Sequence, residues 1–140
     1  ERASALAIAG VGRRSSTALG GRTLAHSPML QYTAAEMAMD LQVAQAVVER
    51  ASEDWTAGVA HGAAWAARLA GAKHRAATGA QRVVDLALEL SGGGGMFKGN
   101  ELERLYRDVR CATFHPPNPA LAHELIGKSA LGLLGSQPRW

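Results

Sequence analysis

Histidine residues are a natural starting point in this chain, because imidazole binds metals and exchanges protons near neutral pH. His123-Glu124 begins like the metal-binding helix of zinc proteases, but Gly127 occupies the place of the second histidine. His61 and His74 lie thirteen residues apart without a clustered ligand, so we interpret both as ordinary helix positions. The sequence therefore predicts no metal site.

Two other stretches carry residues that could form a functional site. His115 stands in a loop that reads His115-Pro116-Pro117-Asn118, and the Pro-Pro pair would fix the direction of its ring. The run Gly92 to Gly95 allows two interpretations. It can end a helix and form a flexible loop, or it can let backbone amides approach an anion.

Composition limits the class of protein. The 140 residues suffice for one domain, 1–140, in which alanine dominates the apolar positions. Fifteen Lys and Arg against twelve Asp and Glu give a net charge of +3. Because the basic residues are scattered rather than grouped in a stripe, we expect no nucleic-acid partner. No apolar run is long enough to cross a bilayer, so we expect no membrane partner.

The single cysteine, Cys111, excludes an intrachain disulfide and is typical of a reducing compartment, so we predict a cytoplasmic protein. Its apolar neighbours in a predicted helix indicate a buried, inert thiol. The chain begins at Glu1 rather than at methionine, which suggests a domain of a longer protein.

Apolar spacing predicts an all-α fold with five helices, namely an up-and-down four-helix-type bundle with an additional short helix. The expected helices cover about 3–19, 30–58, 60–90, 101–115 and 119–134. Asn100 with Glu103 predicts a capping box for the fourth helix, and Asn118 with Pro119 predicts the start of the fifth.

The two long helices carry apolar stripes at alternating spacings of three and four, which predict their core faces. The predicted core residues are Leu30, Ala34, Met37, Leu41, Ala44, Val48, Ala51 and Trp55, then Trp65, Leu69, Ala72, Ala76, Ala80, Val83, Ala87 and Leu90. Gly71 and Gly79 lie inside the third helix, where a close crossing with a neighbouring helix would justify them. Trp55 and Trp65 flank the turn near Gly58 and are expected to close the end of the bundle.

Several short motifs occur in the order and spacing of a known family. They are Ala35-Glu36-Met37-Ala38-Met39, Asp54-Trp55-Thr56-Ala57-Gly58, Ala72-Lys73, Val83-Val84-Asp85 and Arg107-Asp108-Val109-Arg110. Together they resemble the C-terminal helical domain of the acyl-CoA dehydrogenase superfamily of flavoenzymes. The remaining alternative is an unrelated alanine-rich bundle.

The resemblance implies a set of cofactor contacts. In that family the domain assembles as a dimer of dimers, and each bundle helps hold the flavin of a neighbouring subunit. The arginine at the cofactor's pyrophosphate would be Arg22, the glutamine that opens the second helix would be Gln31, and the family's Gly-Gly pair would be Gly92 and Gly93. Glu89 stands where the family has a glutamine that contacts the cofactor. A carboxylate at this position would repel a pyrophosphate.

The same resemblance points to a departure at the catalytic position. Many members carry Tyr-Glu-Gly-Thr in the loop after the Arg-Asp helix, where the glutamate removes a substrate proton. Here that loop reads His115-Pro116-Pro117-Asn118, and proline cannot act as a base. Some members carry the glutamate on the first bundle helix instead. In this chain Glu1 is the only carboxylate of that helix, and it lies at the extreme end, so it is a poor candidate for the base.

His115 is therefore the predicted catalytic residue. The superfamily includes flavin-dependent monooxygenases of phenols and aromatic sulfur, which carry a histidine in this loop close to the flavin. A structural alternative is a loop histidine that bonds a backbone carbonyl.

The resemblance implies an oxidoreductase that uses FAD or FMN, acts on a small molecule such as an acyl-CoA and forms a homo-oligomer, either a dimer or a tetramer. The alternatives are a flavin monooxygenase using His115 and a bundle that serves assembly only. The domains that would supply most of the flavin pocket are absent from these residues, so the fragment alone is expected to be inactive.

Overall fold

The computed structural model describes residues 1–135, and this part of the chain forms five α-helices and no β-strand. The helices are α1 (Arg2–Arg13), α2 (Pro28–Thr56), α3 (Trp65–Ser91), α4 (Glu101–Arg110) and α5 (Pro119–Ala130). Short 3₁₀ turns lie between them. The predicted all-α bundle is confirmed. In the described part of the chain no helix combines the length and apolar character needed to cross a membrane.

The long helices α2 and α3 run antiparallel, and α3 is the central element, because α1, α2, α4 and α5 all pack against it. The antiparallel direction follows from pairs of contacts along their length. Near the turn, Arg68 of α3 meets Asp54 of α2, and at the other end Arg82 meets Glu36.

Gly79 permits the close crossing of these two helices. A Cβ atom added at Gly79 would lie 3.1 Å from the Cβ of Ala44 and 3.5 Å from the carbonyl oxygen of Asp40. The prediction of a close crossing at this glycine is confirmed. Gly71 instead faces α5, where an added Cβ would lie 3.8 Å from the Cδ1 of Ile126.

The core lies where α1 and α4 cover the second half of α3. It is formed by Ala3, Ala7, Val11, Met37, Val83, Val84, Ala87, Leu90 and Leu102. Toward the α2–α3 turn the predicted stripes are wrong in part, because Val48, Trp55 and Leu69 are exposed. The described residues provide no helix to cover that face. The rings of Trp55 and Trp65 do meet edge to face at 5.5 Å, although Trp55 remains 66% exposed.

Several helix ends differ from the sequence prediction. α1 ends at Arg13 rather than near Leu19, because Ser15 forms a β-bridge with Thr23 and turns the chain back. α3 begins at Trp65 rather than near Ala60, after a turn in which Gly62 has a positive φ of 53°. α5 ends at Ala130 rather than near 134.

The predicted N-caps are confirmed at two helices. The side-chain oxygen of Asn100 accepts from the Leu102 amide at 2.9 Å, and that of Asn118 accepts from the Leu121 amide at 3.0 Å. The second half of the predicted capping box does not form, because the Glu103 carboxylate accepts two hydrogen bonds from Arg107 instead.

Cys111 corrects another expectation. α4 ends at Arg110, and Cys111 opens a 3₁₀ turn in which its side chain is exposed rather than buried in a helix.

Candidate functional site

The loop around His115 is held in place by one lysine of α3. The Nζ of Lys73 donates to the carbonyl oxygens of Ala112 at 2.6 Å, His115 at 2.8 Å and Pro117 at 3.0 Å. An ammonium group has three protons, so these three bonds use all of them. Lys73 thus fixes the backbone on both sides of the histidine.

The imidazole of His115 is exposed, and among residues 1–135 it has no hydrogen-bond partner. Only its backbone is engaged, since the His115 amide donates to the carbonyl oxygen of Cys111 at 3.3 Å. The structural alternative, a ring bonded to a backbone carbonyl, is not seen in the described part of the chain. The ring is therefore available to a group other than residues 1–135.

The glycine run lies at the opposite end of α3. Gly92 has a positive φ of 65°, and Gly93 opens a short 3₁₀ turn. The guanidinium of Arg14 closes this end of the helix by donating to the carbonyl oxygens of Leu90 at 2.6 Å and Ser91 at 2.9 Å. Beside it lies a groove of about 370 Å³.

Arg22 and Gln31 lie at the same end of the bundle as the glycines. The backbone of Leu24 donates to the carbonyl oxygen of Arg14 at 2.8 Å, which joins the segment after Arg22 to the arginine that holds the end of α3. The side chain of Gln31 donates to the carbonyl oxygen of Ala25 at 2.9 Å. The structure therefore brings Arg22, Gln31, Gly92 and Gly93 to one end, which we call the glycine end, although it shows no direct contact between their side chains.

Comparison with known proteins shows the family to which this bundle belongs. The family described as "Acyl-CoA dehydrogenase, C-terminal domain" matches residues 1–117. The chain belongs to the acyl-CoA dehydrogenase C-terminal domain family.

Two relatives agree with this assignment. A crystal structure of a "putative ACYL-COA Dehydrogenase" from Mycobacterium smegmatis superposes with a TM-score of 0.82 and 27% identity, over 94% of this chain and 33% of that one. "Putative acyl-CoA dehydrogenase YdbM" of Bacillus subtilis (strain 168) is 37% identical over 62 residues, which are 44% of this chain and 16% of the relative. The chain thus spans about a third or less of the length of these relatives.

Acyl-CoA dehydrogenases generally use FAD, and the residues of the glycine end fit such a group. A Cβ added at Gly93 would meet no atom within 4 Å, so the bare backbone faces open space and can be approached from outside. Arg22 uses its Nε on the carbonyl oxygen of Leu19 at 3.1 Å, which leaves its remaining N–H groups for an anion. Arg13 and Arg14 line the neighbouring groove and add positive charge to it.

The acyl-CoA dehydrogenase resemblance predicted both a catalytic loop and a cofactor end, and the structure separates them. Lys73, which holds the His115 loop, lies nineteen residues before Gly92 in one helix. At a rise of 1.5 Å per residue this is about 28 Å. The candidate residues therefore lie at two separate places on the bundle. Their roles stay predictions, for His115 in the loop and for Arg22, Gln31, Gly92 and Gly93 at the glycine end.

Sequence reasoning missed a buried charge cluster beside the α2–α3 turn. The Asp54 carboxylate, 2% exposed, accepts from His61 at 2.8 Å and Arg68 at 2.9 Å, and pairs with Arg50 at 2.7 Å. The His61 bond, more than the nearby charge of Arg50, lowers the pKa of Asp54 although burial opposes this. His61 is therefore not an ordinary helix position, and the Arg50–Asp54 spacing of four residues was the available clue.

Proposed function

We propose that this chain is the C-terminal domain of a flavin-dependent oxidoreductase of the acyl-CoA dehydrogenase type, in which it helps bind the flavin and assemble a homo-oligomer. The observation that carries the proposal is that Arg22, Gln31, Gly92 and Gly93 all lie at one end of the bundle. FAD is the first cofactor to test, FMN the second, and an acyl-CoA is the first substrate class to test.

Each residue of the glycine end has a distinct task in this proposal. Arg22 would hold a pyrophosphate oxygen through forked N–H donors, and Gly92 and Gly93 would offer backbone that a side chain would otherwise cover. Gln31, held by Ala25, would present its amide oxygen at the start of α2. When bound, the flavin supplies the two-electron chemistry of the oxidoreductase.

The first prediction concerns Arg22. In the full-length protein, Arg22→Gln should lower the flavin content of the purified protein, because the pyrophosphate loses a charged donor. Charged hydrogen bonds contribute roughly 1.5–3 kcal/mol, so flavin affinity should fall about tenfold or more. The measurement is flavin absorbance per chain after dialysis.

Arg104→Gln is the matched control, because it removes the same charge from an exposed ion pair within α4. Equal flavin retention in the two variants would contradict the role of Arg22. Reduction of the flavin by acyl-CoA in wild type would identify the substrate class.

A second candidate is a flavin-dependent monooxygenase that uses His115. Three observations favour it. No carboxylate stands between Asp108 and Glu124, the imidazole has no partner within the described residues, and Lys73 fixes the loop backbone around it. A preorganised ring of this kind can donate a hydrogen bond or take a substrate proton near neutral pH.

The second prediction tests that candidate. In the full-length enzyme, His115→Ala should leave flavin binding intact and lower the product formed per reduced cofactor consumed, with more hydrogen peroxide released. Loss of one preorganised donor typically costs about a hundredfold or more in rate. His115→Gln, which keeps a donor, should lose less.

Unchanged coupling in His115→Ala would return this histidine to a structural role in its loop. Efficient acyl-CoA oxidation by the same variant would instead indicate a base supplied from outside this domain.

Assembly without flavin chemistry is the third candidate, and one face of α2 supports a role in assembly. Tyr32, Met39 and Val43 lie at spacings of seven and four, which places them on one side of the helix. Tyr32 is 69% exposed and Val43 is 58% exposed. An apolar stripe of this kind is typical of a protein interface. Wild-type protein that assembles but never binds flavin would favour this candidate.

A further inference from the structure

A cavity between α2, α3 and α5 is not used by the proposed flavin chemistry. Its volume is about 490 Å³, and Arg50, Arg68, His74, Arg75 and His123 stand among its lining residues. Arg75 follows Lys73 by two positions, which places the two side chains about 200° apart around α3. The cavity therefore lies on the face of α3 turned away from the His115 loop.

The positive charge of this cavity exceeds the negative charge that it meets. Arg50 and Arg68 both bind the buried carboxylate of Asp54, and Arg50 also pairs with the exposed Glu53 at 3.9 Å. The guanidinium of Arg75 has no hydrogen bond or ion pair within residues 1–135. On α5, the carboxylate next to His123 belongs to Glu124, which pairs with Lys128 at 2.8 Å. An anion entering the cavity would thus meet an unmatched guanidinium.

Two histidine rings add hydrogen-bonding nitrogens to the same wall. The rings of His74 and His123 meet edge to face with centroids 4.7 Å apart. The Nδ1 of His123 lies 2.6 Å from the carbonyl oxygen of Pro119, and because a carbonyl only accepts, this nitrogen carries the proton. Its Nε2 is left for another partner. Burial, followed by the charges of His123, Arg75 and Lys73, lowers the pKa of His74.

The remaining wall is apolar and made of small residues. Ala51 of α2 and Ala67, Gly71 and Ala72 of α3 leave room that larger side chains would fill. Gly71 matters most, because an added Cβ there would reach contact distance from Ile126 on the opposite wall. A flat apolar group can lie on this surface while a charged group meets the arginines.

We propose that this cavity binds a small organic anion, a phosphate monoester with an apolar or aromatic body. Arg75 and Arg68 hold the phosphate with forked N–H donors, and the body lies over the alanine and glycine surface. The site is independent of flavin binding, since it shares no residue with the glycine end or the His115 loop.

Phenyl phosphate is a suitable probe, titrated calorimetrically into the full-length protein. It should bind saturably and more tightly than either of two partial analogues. Inorganic phosphate lacks the apolar body, and phenol lacks the charge. Arg75→Gln should weaken phenyl phosphate binding about tenfold or more, as the loss of a charged donor implies. Arg104→Gln, with the same change of net charge on α4, should leave it unchanged.

Absence of saturable binding would overturn the proposal, as would equal weakening by Arg75→Gln and Arg104→Gln. Flavin absorbance is recorded for the same samples. Because Arg75 does not line the glycine end, its variant should retain flavin, so failure of this site and failure of the proposed oxidoreductase remain distinguishable.

Discussion

At the residue scale, Asp54 shows how one buried group can organise a turn. Its carboxylate joins α2 to His61 in the connecting segment and to Arg68 in α3. A buried carboxylate is tolerated only when it is paired and hydrogen-bonded, and here three partners supply that compensation. The same contacts explain why the α2–α3 turn differs from the sequence prediction, since His61 is drawn to Asp54 instead of extending the helix.

The pH dependence of stability follows from this cluster. The pKa of Asp54 is lower in the folded chain than in the unfolded one, so folding favours its ionised form. The stabilisation is complete above about pH 4, the ordinary pKa of aspartate, and is lost as the pH falls through the lowered folded pKa.

Asp54→Asn should therefore lower the melting temperature at neutral pH and flatten its fall on acidification. The measurement is thermal unfolding at a series of pH values. Asp108→Asn, in an exposed ion pair with Arg104, is the matched control and should resemble wild type. A variant at position 54 that keeps the wild-type pH profile would contradict this account of the cluster.

At the element scale, helix identity was predictable from local sequence and helix ends were not. Stripes at spacings of three and four predicted α2 and α3, and asparagine caps predicted the starts of α4 and α5. The end of α1 depends on the bridge between Ser15 and Thr23 and also on partners distant in sequence. The guanidinium of Arg14 bonds to Leu90 and Ser91, more than seventy positions away. The residues of the candidate site were likewise predictable only through the family resemblance, because no local pattern links Arg22 to Gly92.

The crossing of α2 and α3 gives a prediction at this scale. Ala44→Leu should destabilise the chain by about 1–3 kcal/mol, because the added atoms meet Gly79 and the backbone of α3 at a crossing that leaves no space. Chemical denaturation measures the change. Ala38→Leu, at an exposed position of the same helix outside the Tyr32, Met39 and Val43 stripe, is the control and should be nearly neutral. A neutral Ala44→Leu would remove this alanine from the core.

At the scale of the whole molecule, the bundle presents two surfaces that residues 1–135 leave uncovered. The Tyr32, Met39 and Val43 stripe leaves apolar area in water. At the glycine end the Gly93 backbone faces open space, and the two terminal nitrogens of Arg22 have no partner among residues 1–135. Both are explained if the flavin is held between the bundle of one subunit and a neighbour. Assembly and flavin binding would then be coupled.

Sedimentation velocity of the full-length protein, recorded at the absorbance of protein and of flavin, tests this central claim most directly. We predict that flavin sediments with an oligomer at one per chain, and that Val43→Asp yields smaller species that have lost flavin. A wild-type monomer at micromolar concentration that retains its full flavin, or an oligomer that carries none, would contradict the account.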